Sequence, residues 1–369
     1  EMIEIGAGGG SIARVDELGL LRVGPESAGV DPGPASYRLG GDKPTVTDAD
    51  LFLGYLDANF FLGGAMKLDR TRAEAAIKHH IAEPLGLSTT RAAWGIHAVV
   101  NDNMARAAKV HCLERGKDPR DYTLVAFGGA GPMHVAQVAS ALGIRRVLYP
   151  LRAGIMSALG FLVASASFER MRADMRPLDA IQPGHTSQML GELESEAMDM
   201  VRAAGVSPGA CSVKRELALR FVGQSYSLPV RLPSGRLSRA GLARLRQDFI
   251  KVYRARYFRL NPEVLIETVS WRVTVAGPTP RLHLAPPAAA TNAARKGTRR
   301  VFFIEAGRHI DCAVYDRYAL RPGARLRGPA VIEEPESTVV LGPGASARLD
   351  AHGNILAALP ASRQVLTDR

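Results

Sequence analysis

Two hydrophobic periods divide the chain. Between Thr123 and Pro150, Leu124 to Phe127 is a continuous apolar run cut off by Gly128, Gly129 and Gly131, which predicts a strand buried on both faces. Val135, Val138, Ala139 and Leu142 then recur at helical spacing, Gly143 closes the helix, and Arg146 to Tyr149 predicts a second strand ended by Pro150. The expected unit is βαβ, with a glycine loop at the carboxyl end of its first strand. Upstream, Ser11 to Val15 predicts a strand, Asp69 caps a helix with Ala73, Ala76 and Ile77 inward, and a longer helix from Ala92 to Glu114 places Ile96, Val99, Val100, Asn103 and Ala107 on one stripe. Asn103 on that stripe is either a core hydrogen-bonding group or one that faces a ligand.

The pattern changes near Phe168. A helix over Thr186 to Ala203 leads to alternating strands (Leu217, Leu219, Phe221, then Tyr226, Leu228, Val230), a helix over Leu242 to Tyr253 and a strand with Val269, Trp271, Val273 and Val275. The Pro- and Ala-rich stretch at about 278–298 reads as a linker. The tail from Val301 to Leu359 is a series of short strands between Pro-Gly and Gly-Pro pairs, expected to form a small antiparallel β module with Glu333, Glu334 and Glu336 on a solvated edge. The expected fold class is α/β, with domains at 1–168 and 169–369.

Composition narrows the picture. With 369 residues, 46% hydrophobic and 22% charged, the chain reads as an ordinary globular protein long enough for two cores. The net charge of +11 is spread out, with no basic run longer than 294–300 and no interleaved aromatics, which argues against a nucleic-acid partner. Cys112, Cys211 and Cys312 lie about a hundred residues apart without a C-x-x-C, arguing against a disulfide framework or a zinc site and for a reducing, cytoplasmic compartment. No metal-ligating set stands out, and no apolar stretch approaches the ~20 residues of a membrane span. The chain opens on Glu1 and runs at once into Ile3-Glu4-Ile5, which gives the expectation of a part of something longer.

Candidate chemistry sits in two glycine loops. Gly6 and Gly8 to Gly10, followed by Ser11, form either a backbone nest for an anion or a flexible turn; no lysine follows, so the P-loop motif is absent. Gly128, Gly129, Ala130 and Gly131 form either a ligand cradle at a helix start or a tight strand-to-helix turn. The Pro- and Gly-rich segment from Val23 to Tyr37 is a long loop of fixed shape. Asp48 and Asp50 fall in the first turn of a helix, where Asp48 either caps or serves the cleft. His134 either caps or packs, or donates to a ligand. Ser157 lacks a G-x-S-x-G context and is a poor hydrolase nucleophile.

The order of motifs, Ile5-Gly-Ala-Gly-Gly-Gly-Ser-Ile-Ala13, Val23-Gly-Pro-Glu-Ser-Ala-Gly29, Pro44-Thr-Val-Thr-Asp-Ala49, Phe127-Gly-Gly-Ala-Gly-Pro-Met-His134, Arg220-Phe-Val-Gly-Gln-Ser-Tyr226 and Gly328-Pro-Ala-Val-Ile-Glu-Glu-Pro-Glu-Ser-Thr338, resembles the A subunit of the hydantoinase/oxoprolinase family over nearly the whole chain. The resemblance implies the second lobe of an actin-like, sugar-kinase-like (ribonuclease H-like) ATPase fold, followed by an α+β carboxyl-terminal domain. It implies an ATP- and Mg2+-dependent enzyme that phosphorylates a cyclic-amide carbonyl oxygen so that water opens a hydantoin, N-methylhydantoin or 5-oxoproline ring, or a ketone carboxylase related to it. It also implies an oligomer with a hydantoinase B-type subunit. By carry-over, Gly128, Gly129, Ala130 and Gly131 line the adenosine side of the nucleotide, and Gly8, Gly9, Gly10 and Ser11 lie nearer the reacting groups, with Asp48 and His134 as candidate catalytic residues. The family's amino-terminal phosphate- and magnesium-binding motifs have no counterpart here, so the chain is expected to lack the amino-terminal half and to be inactive alone or to act only as a scaffold. Ser36 stands where the family often has Cys before Tyr37.

Overall fold

A reciprocal cap starts the first α-helix after the chain's glycine-rich opening: Thr45 accepts from the Asp48 amide, and the Asp48 carboxylate accepts from Thr45 in return, so α1 (Val46–Phe52) begins on a capping box. This computed structural model describes residues 2–233, 235–257, 264–282 and 293–360. The chain divides into two compact units, one from Glu1–Leu159 with Leu284–Arg369, the other Gly160–His283.

In the first unit, β1 (Ser11–Val15) and β2 (Leu21–Ser27) form an antiparallel pair. Asp69 accepts from the amides of Thr71 and Arg72 to start α2 (Arg70–Ile77), a π turn follows, and α3 (Glu83–Leu85) ends at Gly86. Ser88 caps the long α4 (Thr89–Leu113), whose buried face carries Ala92, Ala93, Ile96, His97, Val100, Asn101 and Ala105. Asn103 is part-buried and its amide donates to the Val23 carbonyl at 3.3 Å, the core hydrogen-bonding alternative.

The βαβ unit forms as β3 (Leu124–Val125), α5 (Gly131–Leu142) and β4 (Arg146–Tyr149), with β3 and β4 parallel and Gly143 closing α5 in the left-handed region. The first strand differs from expectation. It is short and lies at the edge of its sheet, with Val125 46% and Phe127 49% exposed, because it has a neighbour on one side only.

The junction helix α6 (Met156–Val163) spans the boundary between the units. The second unit is a four-stranded antiparallel sheet of order β5-β8-β6-β7, built from β5 (Ser167–Ala173), β6 (Ser212–Phe221), β7 (Leu228–Arg231) and β8 (Ile266–Ala276). The amphipathic α7 (Pro183–Ala203) and α8 (Arg239–Arg256) cover it, closing a core of Leu193, Leu217, Phe249 and Trp271 among others.

The tail does not stand apart as an antiparallel module. Its strands are β9 (Arg295–Phe303), β10 (Arg308–Asp316), β11 (Arg325–Arg327), β12 (Ala330–Glu334), β13 (Ser337–Leu341), β14 (Ser346–Leu349) and β15 (Ile355–Ala358). β10 and β12 pair in parallel, and β15 pairs with β4, so β14, β15 and β11 extend the sheet that holds the βαβ unit. Pairing across some two hundred residues, as in Tyr149 with Ile355, has no local sequence mark. Of the expected linker at 278–298, residues 283–292 lie outside the described residues, and from Arg295 the chain is strand, held by its ladder to β10. No helix among the described residues is long and apolar enough to cross a membrane.

Candidate functional site

The two glycine loops open on one cavity of about 270 Å³, contained in the first unit. Gly9 and Gly10 of the first loop and Gly129 and Ala130 of the second are in its wall, with Thr47 and Asp50 of α1, aromatic rings at Tyr37, Phe60 and Phe61, and the Glu333–Thr338 turn between β12 and β13.

Each loop is held by its own hydrogen bonds. Thr47 donates to the Gly9 carbonyl twice, from its amide at 2.8 Å and its hydroxyl at 2.9 Å. The Gly8 amide donates to Ser11 Oγ at 3.0 Å, so the Ser11 hydroxyl folds the loop on itself, and neither Gly8 nor Ser11 reaches the cavity wall. In the second loop Gly128 adopts φ 90°, a conformation open to glycine; its amide donates to Ala153 and its carbonyl accepts from Ser337 Oγ at 3.3 Å. Gly131 starts α5.

Asp48 is a fastening residue. Its carboxylate accepts from the amides of Ala35, Ser36 and Thr45 and from the Thr45 hydroxyl, at 2.8–3.2 Å, which fixes the Pro- and Gly-rich loop to α1 and leaves no free edge for a ligand. Asp50, two residues on and so about 200° round the helix, is the carboxylate that meets the cavity.

Behind it lies a buried polar set that sequence reasoning missed. Asp50 Oδ1 is 2.7 Å from His97 Nδ1, and Oδ2 is 3.1 Å from His134 Nε2. The two imidazoles stack at 4.5 Å between centroids and 26° between planes. His134 Nδ1 lies 2.9 Å from the side-chain amide of Asn101. The atom it meets is Asn101 Oδ1, which can only accept, so His134 Nδ1–H donates to it, while His134 Nε2, Asp50 Oδ2 and the Asn101 NH2 make no hydrogen bond among the described residues. His97 and Asn101 are one helical turn apart on α4; that i, i+4 pair of polar residues beside Ile96 and Val100 is the trace it leaves in the sequence. All four side chains are buried.

Asp50, His97 and His134 bring their ligating atoms within 4.8 Å of one another. The nearly parallel rings each address a different oxygen of one carboxylate, whereas a tetrahedral metal requires lone pairs that converge on a point; the geometry is that of a carboxylate clamp. Burial works to raise the Asp50 pKa, but His134 and His97 outweigh it and hold the group ionised, at about 2. Burial first, then the neighbouring imidazole, lowers His97, against the pull of Asp50.

The opposite wall corrects the expected solvated edge. Glu333 and Glu334 are each 3% exposed, while Glu336 is exposed. Glu333 is bound by Lys296 and Arg299, and Arg299 also holds Asp57 at 2.8 Å. Glu334 faces Arg317 at 3.4 Å, yet burial outweighs that cation and raises its pKa to about 7. The backbone amides of Ala153 and Gly154 also act to lower it, though neither carboxyl oxygen makes a hydrogen bond of good geometry among the described residues. The tail therefore contributes to the site, and the unbroken apolar run Ala330-Val-Ile leading into Glu333 was its trace in the sequence. His134 lies behind Asp50, outside the cavity wall.

A hydantoinase/oxoprolinase profile matches residues 1–170, and the hydantoinase/oxoprolinase C-terminal domain matches residues 181–356. Those sequence segments and the compact units divide the chain differently, since the tail strands belong to the first unit. Caprolactamase subunit alpha of Pseudomonas jessenii is 38% identical over 355 residues, covering 94% of this chain and 51% of that protein. Among solved structures, the ATP-dependent caprolactamase of Pseudomonas jessenii superposes with a TM-score of 0.75 at 36% identity, covering 95% of this chain and 52% of that one. The nucleotide-free acetone carboxylase superposes with a TM-score of 0.73 at 28% identity, covering 96% and 52%. The chain thus spans about half the length of these relatives. Motifs, paired profiles and fold agree: the chain belongs to the hydantoinase/oxoprolinase A family.

Proposed function

We propose that this chain is part of an ATP-dependent enzyme that opens a cyclic amide, and that its first unit is the second lobe of an actin-like nucleotide-binding fold. The observation that carries the reading is the meeting of two glycine loops, about 120 residues apart in sequence, on one cavity. Gly129 and Ala130, set by the flanking Gly128 and Gly131, take the adenosine end, and Gly9 and Gly10, in the loop that Gly8 and Ser11 fold, lie towards the reacting groups. The chemistry of the wall supports that polarity. It holds carboxylates, bare backbone and three aromatic rings but no lysine or arginine, so it favours ribose hydroxyls, an adenine amino group and an amide N–H over a naked triphosphate.

Phosphoryl transfer to the amide oxygen releases ADP and traps charge that would otherwise return to the ring. Water then adds to the activated carbon, the C–N bond breaks, and phosphate leaves on a second hydrolysis; the cyclic amide, one ATP and two waters become the ring-opened amino acid, ADP and phosphate. Mg2+ neutralises phosphate charge in such transfers. Of the cavity carboxylates, Asp57, Glu333 and Glu334 already face cations and Asp50 imidazoles, which leaves Glu336 to help hold the ion. Asp50, fixed and ionised, orients the substrate N–H; Glu334 is the group able to exchange a proton near neutral pH. The partner is a hydantoinase B-type subunit, in keeping with the relative named as a subunit.

Calorimetric titration of ATP with Mg2+, and of ADP, into the full-length protein tests the reading. Binding is expected, with at least a tenfold loss in Gly129→Asp, which adds a carboxylate to the adenosine side. Absence of nucleotide binding, or affinity untouched by Gly129→Asp, would favour a scaffold. The likeness to acetone carboxylase favours a second reading, an ATP-dependent ketone carboxylase; ATP consumption that requires bicarbonate and a ketone would select it over lactam hydrolysis.

A further inference from the structure

We infer that the first unit carries a second ligand site, a basic groove that takes a small phosphate-bearing anion one aromatic layer behind the cavity. The groove, about 630 Å³, lies between the start of α4 and the β9–β10 pair, within the range of small-molecule pockets. Three guanidinium groups border it: Arg91 in the first turn of α4, Arg300 on β9 and Arg308 at the start of β10. Trp94 and Phe302 form its apolar floor, with ring centroids 6.0 Å apart, and His309, directly across the ladder from Phe302, completes that face.

What matters about these arginines is that three of them share one hollow while unspent, unlike Arg22 with Asp16, Arg215 with Glu194, Arg220 with Glu267 and Arg299 with Glu333, which are tied to carboxylates. Arg91, Arg300 and Arg308 have no side-chain hydrogen bond or ion pair among the described residues, and no carboxylate lines the groove. Three like charges round one hollow repel one another until an anion enters, and the guanidinium fork matches phosphate oxygens two at a time. The start of a 25-residue helix adds its unpaired amides, the Ser88 hydroxyl having taken only that of Arg91. His309 Nε2 is buried without a partner, and burial, with Arg70 and Arg300 nearby, lowers its pKa; a neutral imidazole there can accept from, or donate to, a ligand.

The groove also touches the other site. The Trp94 ring lies 5.3 Å from that of His97, and His97 holds the Asp50 carboxylate at 2.7 Å, so an occupant that shifts Trp94 presses on the clamp behind the cavity. The groove stands on its own observations and does not depend on the cavity binding ATP.

Trp94 and Trp271 are the two tryptophans of this sequence, and comparison with Trp94→Phe makes fluorescence a local probe. Inorganic phosphate is titrated into the full-length protein at ionic strength balanced with NaCl, following emission and, for a silent event, calorimetric heat. Saturable binding is expected, its emission change lost in Trp94→Phe, its affinity reduced at least tenfold in Arg300→Glu and in Arg308→Glu and unchanged in Gly129→Asp. Parallel titration with ADP distinguishes the source of the phosphate: tighter binding that is still lost on charge reversal identifies a nucleotide, and binding of phosphate alone identifies the free ion. No saturable change by either method, affinity indifferent to both charge reversals, or citrate binding as well as phosphate would overturn the assignment.

Discussion

Two carboxyl groups on one cavity are pushed in opposite directions by what surrounds them. Asp50 receives two imidazoles and stays ionised, while Glu334 is kept neutral by burial up to about pH 7 against an ordinary value of 4.5, despite Arg317 and the nearby amides of Ala153 and Gly154. Arg317, with Nε 3.4 Å away, pulls the other way, but burial is the larger effect. The sign of the consequence follows. A carboxyl whose pKa is raised by folding contributes stability that is complete below its unfolded pKa and is lost as pH rises through the folded one. Between pH 5 and 8 that loss is on the order of 3 kcal/mol. Glutamine has the shape of the protonated acid but no charge to bury, so Glu334→Gln is expected to match the parent near pH 5 and to exceed it increasingly towards pH 8. Melting temperatures of both proteins across that interval measure the gap; a gap that moves against the variant with rising pH would mean that the ion pair with Arg317 outweighs burial.

At the level of elements, the cavity depends on how closely the β12–β13 turn approaches the backbone around the second glycine loop. A Cβ on Gly154 would stand 2.5 Å from Glu336 Cβ and 2.8 Å from its carbonyl carbon, whereas one on Gly131 would meet nothing within 4 Å. Gly154→Ala is therefore expected to displace the turn, with a loss of about 1–3 kcal/mol and weaker ligand binding at the cavity. Gly131→Ala, at a helical position with ordinary φ, is expected to be neutral or to gain up to about 1 kcal/mol. Thermal melts and ligand titrations on the pair check both, and equal effects would show that glycine 154 is not there for clearance. Such contacts also mark where reading the sequence succeeds and fails. The βαβ unit, the Asp69 cap and the helices were legible because their signs are local: apolar spacing, a capping side chain, a closing Gly143. Both cavity loops were legible as glycine clusters. The edge position of β3, the union of the tail with β4, the burial of Glu333 and the His97–Asp50–His134 clamp were not, since each is fixed by residues tens to hundreds of positions away. Asp48 and Asp50 show the limit most sharply: two carboxylates in one helical turn, and only the helix phase separates the fastening residue from the one at the cavity.

For the molecule as a whole, the two units have separate cores, and both the cavity and the basic groove lie in the first. Trp271 is the largest fully buried side chain of the second core, and its indole N–H donates to Asp174 at 3.2 Å. Replacing it with alanine removes most of the side chain's packing at a cost of about 3–5 kcal/mol, together with a part-buried hydrogen bond. If the units are energetically separate, Trp271→Ala accelerates amide exchange throughout β5, β6 and β8 and leaves exchange in α1, α4 and the βαβ unit as it was, with phosphate and nucleotide affinities unchanged. The result that would refute separation is equal acceleration in both units, because a shared cooperative unit must distribute the loss over every amide that opens globally. The same measurement bears on how much of the family's chemistry each half of the sequence carries. The second profile begins at residue 181 and runs to 356, yet the part of it that reaches the cavity is the tail, in the first unit. A lesion confined to the second core should therefore leave ligand affinity intact, whereas one that displaces the tail, such as Gly154→Ala acting on Glu336, should not.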